Sequence, residues 1–352
     1  MAARTEPDPG PAGLAARLPS PSSALGLLLV ALVLAWLAVN FVKSPSNWTE
    51  VFLIGLTNGA VYGLVALGYT LVYGILQLIN FAHGDLFALS GLVAFTILNS
   101  VLDIGSNPST LVLIGGIVAT LLITMTFFAG ANALIELVAY RRLRNAPRLA
   151  PLITAVGVSF IIQNIGLAVY GVSFRSASDL VPHTNVFSIA GVSYQWNKLT
   201  VILVTVPILL LLTWFVTSTR QGKSMRATAQ DREAAAMMGI NVNRTISITF
   251  AVAGSLAAVA GLLFLLQFNM RYDTGFQLGL IAFTAAVLGG IGNLPGAVLG
   301  ALVIGFIQAF NEGLSWHTPG SDWTQSIVFG ILILILVFRP EGLLGERTAE
   351  GQ

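Results

Sequence analysis

Apolar runs long enough to cross a bilayer recur along the whole of this sequence, and they leave few folds open to it. A helix needs about 20 mostly apolar residues to cross the hydrocarbon core, and isolated strands cannot satisfy their backbone hydrogen bonds in lipid. The runs therefore predict an all-α polytopic integral membrane protein with about 9–10 transmembrane helices. They lie at 24–42, 51–73, 76–100, 111–139, 151–172, 199–218, 245–268, 276–293, 295–313 and 323–339.

The runs at 276–293 and 295–313 are the least regular of the ten. Between them stands "LGGIGNLPG", whose Gly and Pro residues break the helical pattern. The two segments are therefore expected to be either two full spans, or one full span and one re-entrant or interrupted segment.

Composition excludes several classes of protein. Only 9% of the 352 residues are charged, and the mean hydropathy is +0.84, whereas soluble domains carry about 25% charged residues. The chain has no cysteine, which excludes disulfides and thiolate metal sites. A net charge of +2 with basic residues confined to a few loops argues against a nucleic-acid partner.

No constellation for catalysis appears among the polar residues. There are three histidines, no HExxH motif and no cluster of acids. A phosphate-binding GxxxxGK[ST] motif is also missing from the sequence. We expect no enzyme activity in this chain and no catalytic, metal or cofactor site.

Basic residues set the expected orientation. With the N-terminus in the cytoplasm and the spans alternating, thirteen Lys and Arg residues fall inside and four outside, as the positive-inside rule requires. Residues 1–23 and 341–352 then form cytoplasmic tails, the first of them disordered, and 24–42 is an extra N-terminal transmembrane helix. A signal peptide is the alternative for this first run, but no convincing cleavage site follows it. The longest outer segment, 173–198, is expected to form a hairpin, a short surface helix or a plain loop.

Small residues spaced four apart predict close packing of helix backbones. The stretches "GAVYGLVALG" (59–68) and "GAVLGALVIG" (296–305) are also alike and should run in opposite directions, which fits either an inverted repeat or a chance resemblance. The glycines in question are Gly55, Gly59, Gly63, Gly292, Gly296 and Gly300.

The inner loop 219–244 contains a short charged helix that does not enter the membrane. "DREAAAMMGIN" (231–241) is rich in helix-forming Ala, Glu and Met, and Gly239 is well placed to end the helix. Alanines give it a flat side, and Met237 and Met238 offer adaptable apolar contacts. Docking in a groove of another protein is favoured over resting on lipid headgroups, because the loop has almost none of the large apolar residues that lipid contact requires.

At "EAAAMMG" (233–239) the sequence resembles the EAA loop of ABC importer permeases, a cytoplasmic coupling helix that docks on the ATPase subunit. The Leu-Pro pair of the maltose-type permeases is missing. The whole chain from about 51 to 345 looks instead like the shorter-core membrane subunit of branched-chain amino acid ABC importers, although Arg142 stands where that family usually has Pro. The blocks that carry the resemblance are 68–91 ("GYTLVYGILQLINFAHGDLFALSG"), 136–164, 231–263 and 283–305 ("FTAAVLGGIGNLPGAVLGALVIG").

This resemblance implies an ABC permease transmembrane domain at 51–340 in the bacterial inner (plasma) membrane. It also implies a second homologous permease subunit, two separate ABC ATPase subunits, an extracytoplasmic substrate-binding protein and an amino acid substrate moved by alternating access. The residues expected to couple to the ATPase are Arg232, Glu233, Ala234, Ala235 and Gly239. Two alternatives stay open: the same machinery carrying urea or short amides, and a stand-alone ion-coupled secondary transporter, which would need buried carboxylates and no such loop.

Polar residues within spans are costly and often functional. "QLINFAHGDLF" carries several of them at the start of a predicted helix, with Asn80 as its possible cap; the group would then lie near the cytoplasmic mouth and shape a gate. Capping and helix packing are the competing explanations. The possible pathway or gate residues are Asn58, Asn80, His83, Asp85 and Asn164.

Overall fold

A computed structural model describes residues 21–77, 80–104, 109–144, 146–147, 149–182, 184–189, 191–339 and 341–345. Of the predicted tails 1–23 and 341–352, residues 1–20 and 346–352 lie outside the described residues. Most of the described chain is helical. The helices are α1 (Pro21–Lys43), α2 (Pro45–Leu76), α3 (Ala82–Thr96), α4 (Thr110–Ile135), α5 (Leu149–Tyr170), α6 (Trp196–Ser218), α7 (Arg220–Gln230), α8 (Arg232–Met237), α9 (Val242–Leu265), α10 (Thr274–Gly289), α11 (Leu294–Gly313) and α12 (Ser321–Phe338).

Shorter elements complete the fold. Strands β1 (Asn185–Ile189) and β2 (Val192–Gln195) pair antiparallel in a hairpin before α6, which confirms one of the forms expected for 173–198. π-Helical turns prolong α3 over Ile97–Val101 and α4 over Glu136–Tyr140. We call the side of the bundle with this hairpin the hairpin end, and the side with α7 and α8 the loop end.

Eight helices within the described residues are long and apolar enough to cross a membrane, so the chain is a multi-pass membrane protein of the predicted all-α class. Its lipid-facing helices are distinct from its core. Most of α2 and α9 is buried inside the protein, whereas most of α5, α6 and α12 is not buried. A helix that is apolar all round and exposed in this way is suited to contact with acyl chains.

The irregular region at 276–313 forms two separate helices. α10 has 16 residues, about 24 Å at 1.5 Å per residue, which is shorter than a ~30 Å hydrocarbon core. α11 has 20 residues and meets the length of a span. The two run antiparallel, since Gly289 lies against Gly296 and Ala285 against Gly300.

The start of α3 differs from the prediction. α2 continues to Leu76, and Gln77 then adopts a left-handed conformation (φ 54°) that ends the helix. α3 begins only at Ala82, six residues after the start of the apolar run 76–100 and two residues after the expected cap Asn80. His83 lies beside Gly68, eight residues before the end of α2, so α3 starts about 12 Å inside that end.

Glycines bring α2 and α11 into backbone contact. A Cβ atom on Gly59 would lie 2.8 Å from Leu302 Cα, and one on Gly55 would lie 3.1 Å from Phe306 Cα. Gly305 of α11 faces Gly59 of α2, and a Cβ atom on Gly305 would lie 2.4 Å from Gly59 N. The two stretches that look alike in sequence therefore lie antiparallel and in contact with each other.

Of Gly292, Gly296 and Gly300, two pack against a neighbouring helix and one forms a turn. Gly296 and Gly300 lie against the backbone of α10, and a Cβ atom on Gly300 would lie 2.1 Å from Ala285 O. Gly63 is looser, at 3.8 Å from Ala301 Cβ. The prediction that Gly292 packs a helix face was wrong, because it lies in the turn before α11 with a φ of +91°, a conformation that favours glycine.

Candidate functional site

The loop 219–244 folds into two helices whose ends are fixed by side chains of the loop itself. Thr219 accepts a hydrogen bond from Gly222 N at the start of α7. Asp231 Oδ1 accepts from Glu233 N (2.9 Å) and Ala234 N (3.0 Å) at the start of α8. These caps satisfy amides that have no partner within a helix, and Asp231 therefore sets where α8 separates from α7.

The end of α8 is equally well defined. Gly239 has a φ of +84°, its N–H donates to Ala236 O (3.0 Å), and Ile240 N–H donates to Ala235 O (3.0 Å). This is the Schellman arrangement, which a left-handed glycine terminates most readily. Gly239 stops α8 as the sequence predicted.

α8 presents methionines outward. The exposed fractions of Met237 and Met238 are 82% and 83%, and Glu233 and Gly239 are exposed beside them. Two apolar side chains this far out of the protein make a small adaptable surface of the kind used to bind other proteins. The surface formed by Glu233, Met237, Met238 and Gly239 is called the α8 surface below.

The inward side of α8 carries two of the residues predicted to couple to an ATPase. Ala235 is 4% exposed, and Arg232 Nη2 donates to Ile75 O (2.9 Å) and Leu76 O (3.0 Å) at the end of α2. A cation is favourable at the C-terminus of a helix. The structure thus binds Arg232 to the end of the chain's own α2 and buries Ala235, while Ala234 is half-buried. Their coupling to an ATPase stays a prediction.

Removing the cap of α8 is expected to loosen it. Asp231→Ala leaves the amides of Glu233 and Ala234 without their acceptor, at a cost of about 1 kcal/mol. We expect faster hydrogen exchange of residues 232–238 than in the wild type, with the spans unchanged. Glu233→Ala, on the same helix, is the matched control and should leave that exchange unaltered; equal exchange in both variants would contradict the capping role.

A buried ion cluster joins the loop end of α4 to α9. The Glu136 carboxylate is fully buried and accepts from Arg141 Nη2 (3.0 Å), from Arg144 and from Ser247 Oγ (2.6 Å). Arg144 also donates to Asn243 Oδ1 (2.6 Å) in the first turn of α9. Glu136 in the predicted span is therefore neutralised by two arginines, and the cluster links α4 to the residues that follow α8.

A second polar cluster lies deeper in the bundle. Asp85 is 1% exposed, and its carboxylate accepts hydrogen bonds from Ser159 Oγ and from Gln163 Nε2 (3.1 Å) on α5. Ser159 is halfway along α5. Asp85 therefore lies level with the middle of α5 and not near the cytoplasmic mouth of the bundle, where it was predicted. Sequence reasoning missed Ser159 and Gln163, although their spacing of four, on one helix face, was a signal.

Asn80 does not cap α3, and His83 is buried within the bundle. The residue before α3 is Phe81, and no side chain caps the helix, so the expected Asn80 cap was wrong. Asn80 Oδ1 instead accepts from Tyr140 Oη (2.8 Å). His83 is fully buried in a notch left by Gly68 and meets the Tyr69 ring edge-on, with 4.9 Å between centroids.

The two remaining polar candidates, Asn58 and Asn164, differ in burial. Asn58 is buried, at 7% exposure, within α2. Asn164 is exposed on α5, and its Nδ2 donates to Phe160 O (2.8 Å) in its own helix. The structure brings Asn80, His83 and Asp85 together around the start of α3 and leaves Asn58 and Asn164 apart from them.

Comparison with known proteins places these features in one family. The profile of the family described as "Branched-chain amino acid transport system / permease component" matches residues 51–337. The chain belongs to this permease family. Its α8 and both polar clusters lie inside the matched region, whereas α1 lies before it.

Named members of the permease family are similar over most of their length. The high-affinity branched-chain amino acid transport system permease protein BraD of Pseudomonas aeruginosa is 38% identical over 300 residues, 84% of this chain and 95% of BraD. The corresponding protein LivH of Escherichia coli K12 is 37% identical over 304 residues, with the same coverage. A probable LivH of Methanocaldococcus jannaschii is 26% identical and covers 80% of this chain.

Proposed function

We propose that this chain is the transmembrane permease subunit of an ABC importer that carries branched-chain amino acids. The substrate would pass from an extracytoplasmic binding protein to the cytoplasm by alternating access, driven by two separate ATPase subunits, with a second homologous permease subunit alongside. Family membership supports the class of machine. The observation that carries the coupling role is the α8 surface, a rigidly capped helix that holds two methionines out of the bundle.

The proposed orientation places both termini and the α8 surface in the cytoplasm of a bacterial cell, within its inner membrane. Arginines support it, because the loop end carries Arg141, Arg144, Arg226 and Arg232, as the positive-inside rule expects. The hairpin end would then face the binding protein.

A path for the substrate is proposed along the start of α3. Asp85, Asn80 and His83 lie there beside Tyr69 and Tyr140, and the carboxylate of Asp85 is held by α5 rather than by a cation. Asn58 is kept as a candidate on α2. Asn164 faces out of the subunit, so it can reach a path only where a second permease subunit covers α5.

The coupling role is tested by Met237→Asp combined with Met238→Asp. Burying each methionine in a groove stabilises binding by about 1.5 kcal/mol or more, so losing both should weaken ATPase binding roughly 100-fold. We expect the ATPase subunits no longer to co-purify with the tagged permease and ATP-driven uptake to be lost. Fold should be kept, because both side chains are already in solvent.

Met237→Leu with Met238→Leu is the matched control, since it retains apolar volume and should retain the ATPases. Retention of the ATPases by the Asp variant would contradict docking at the α8 surface. Uptake by the permease alone without ATP would overturn the whole proposal and support a stand-alone secondary transporter.

The cargo is tested separately with the reconstituted complex and its binding protein. Leucine, isoleucine or valine should stimulate ATP hydrolysis, and urea and short amides should not. Stimulation by urea or an amide alone would keep the machine and change its substrate.

A further inference from the structure

A crevice of about 490 Å³ lies between α1, α11 and α12. Val33 and Leu37 of α1, Phe306 of α11 and Ile331 of α12 line it, and its walls are almost wholly apolar. Water is disfavoured against such walls, and the fluid that surrounds these helices in a membrane is acyl chain. The α1 wall lies outside the family match, which begins at residue 51, so the crevice is an addition to the matched domain.

One end of the crevice is polar and fixed. Trp36 Nε1 donates to Trp316 O (3.2 Å), Trp316 N donates to Asn40 Oδ1 (3.2 Å), and Lys43 Nζ lies 4.3 Å from the centroid of the Trp316 ring. Trp and Lys side chains concentrate at the level of lipid headgroups. No carboxylate of the described residues forms an ion pair with Lys43, so its charge is available to a phosphate.

A buried residue with an unpaired acceptor also lines the crevice. Asn311 is 5% exposed, and its Nδ2 donates to Gly320 O (2.7 Å) and Thr324 Oγ1 (2.8 Å). Its Oδ1 has no hydrogen-bond partner among the described residues. A buried acceptor left unpaired costs free energy, which a ligand with a hydrogen-bond donor would relieve.

We propose that this crevice binds one phospholipid whose headgroup carries hydrogen-bond donors. An acyl chain lies along the apolar walls, the phosphate lies at Lys43, and a headgroup ammonium or hydroxyl donates to Asn311 Oδ1. Phosphatidylethanolamine and phosphatidylglycerol have such donors; phosphatidylcholine has none. On the proposed orientation, on which the choice of leaflet rests, this is an outer-leaflet lipid that ties α1 to the matched domain.

The test is lipid retention by the full-length permease, which needs neither ATPase nor transport. The purified protein is exposed in detergent to an equimolar mixture of the three phospholipids and examined by native mass spectrometry. We expect one phospholipid per chain, with the two donor-bearing headgroups retained about tenfold over phosphatidylcholine, equivalent to ~1.4 kcal/mol. Lys43→Ala should lower the retention of all three, because all carry a phosphate.

Val33→Trp should fill the crevice and abolish retention. Leu34→Trp, on an exposed residue that does not line the crevice, is the matched control and should keep the lipid; Ile331→Trp repeats the test from the opposite wall if Val33→Trp does not fold. Equal retention of phosphatidylcholine, or full retention in both filled variants, would overturn the proposal. So would a disulfide or crosslink from Val33→Cys to another protein chain, a clean test in a sequence without cysteine.

Discussion

Gly305→Ala is expected to cost the protein much of its folding stability. The added Cβ atom would lie 2.4 Å from Gly59 N and 2.6 Å from Gly55 O, and both neighbours are backbone atoms of a buried helix that cannot turn away. Overpacking costs about 1–3 kcal/mol when side chains can adjust, so we expect about 3 kcal/mol or more here. Thermal unfolding of the purified protein in detergent measures the change, together with the yield of monodisperse protein.

Gly130→Ala is the matched control for this substitution. Gly130 lies within α4, and nothing stands within 4 Å of the position its Cβ would take. Alanine favours a helix over glycine by up to ~1 kcal/mol, so this variant should be as stable as the wild type or slightly more so. If the two variants unfolded alike, the α2–α11 contact would not be the tight junction described above.

Glu136→Gln is expected to give the second large loss. The carboxylate is fully buried and accepts hydrogen bonds from two guanidinium groups and a hydroxyl. A neutral amide leaves Arg144, whose side chain is 10% exposed, without its counter-charge. Breaking one partner of a buried ion pair costs about 3 kcal/mol, and the midpoint of unfolding should fall accordingly.

Asp273→Asn serves as the comparison for Glu136→Gln. Asp273 pairs with Arg271 at 2.6 Å, but about a third of each side chain is exposed. Solvent screens such pairs, so this variant should unfold almost like the wild type. A similar loss in both variants would indicate that burial is not what makes the Glu136 cluster important.

Periodic and local features of this fold were readable from the sequence. Each of the ten apolar runs corresponds to a helix of the described residues, and eight of these helices are long and apolar enough to cross a membrane. Gly239 ends α8 because the end of a helix is decided within a few residues. Glycine spacing likewise predicted close backbone packing, which the structure shows between α2 and α11, although Gly292 was misassigned to a helix when it forms a turn.

Features that depend on distant residues were not readable in this way. Ser159 and Gln163 bind Asp85 across more than 70 positions of sequence. Their spacing puts both on one helix face but does not indicate which residue they bind. Asn80 was expected to cap α3, but Tyr140 competes for its side chain and Phe81 begins the helix. Arg232 binds the open carbonyls at the end of α2, a contact that no local pattern indicated.

Arg232 connects α8 directly to the end of α2. Its guanidinium donates to the last carbonyls of α2, a helix of 32 residues about 48 Å long. Glycine contacts bring that helix against the backbone of α11. Because α2 and α11 are in backbone contact, they cannot slide past each other unless they first separate. If α8 binds an ATPase as proposed, a displacement of α8 would be passed through Arg232 to α2 and α11 together, and opening would require movement at other contacts of the bundle.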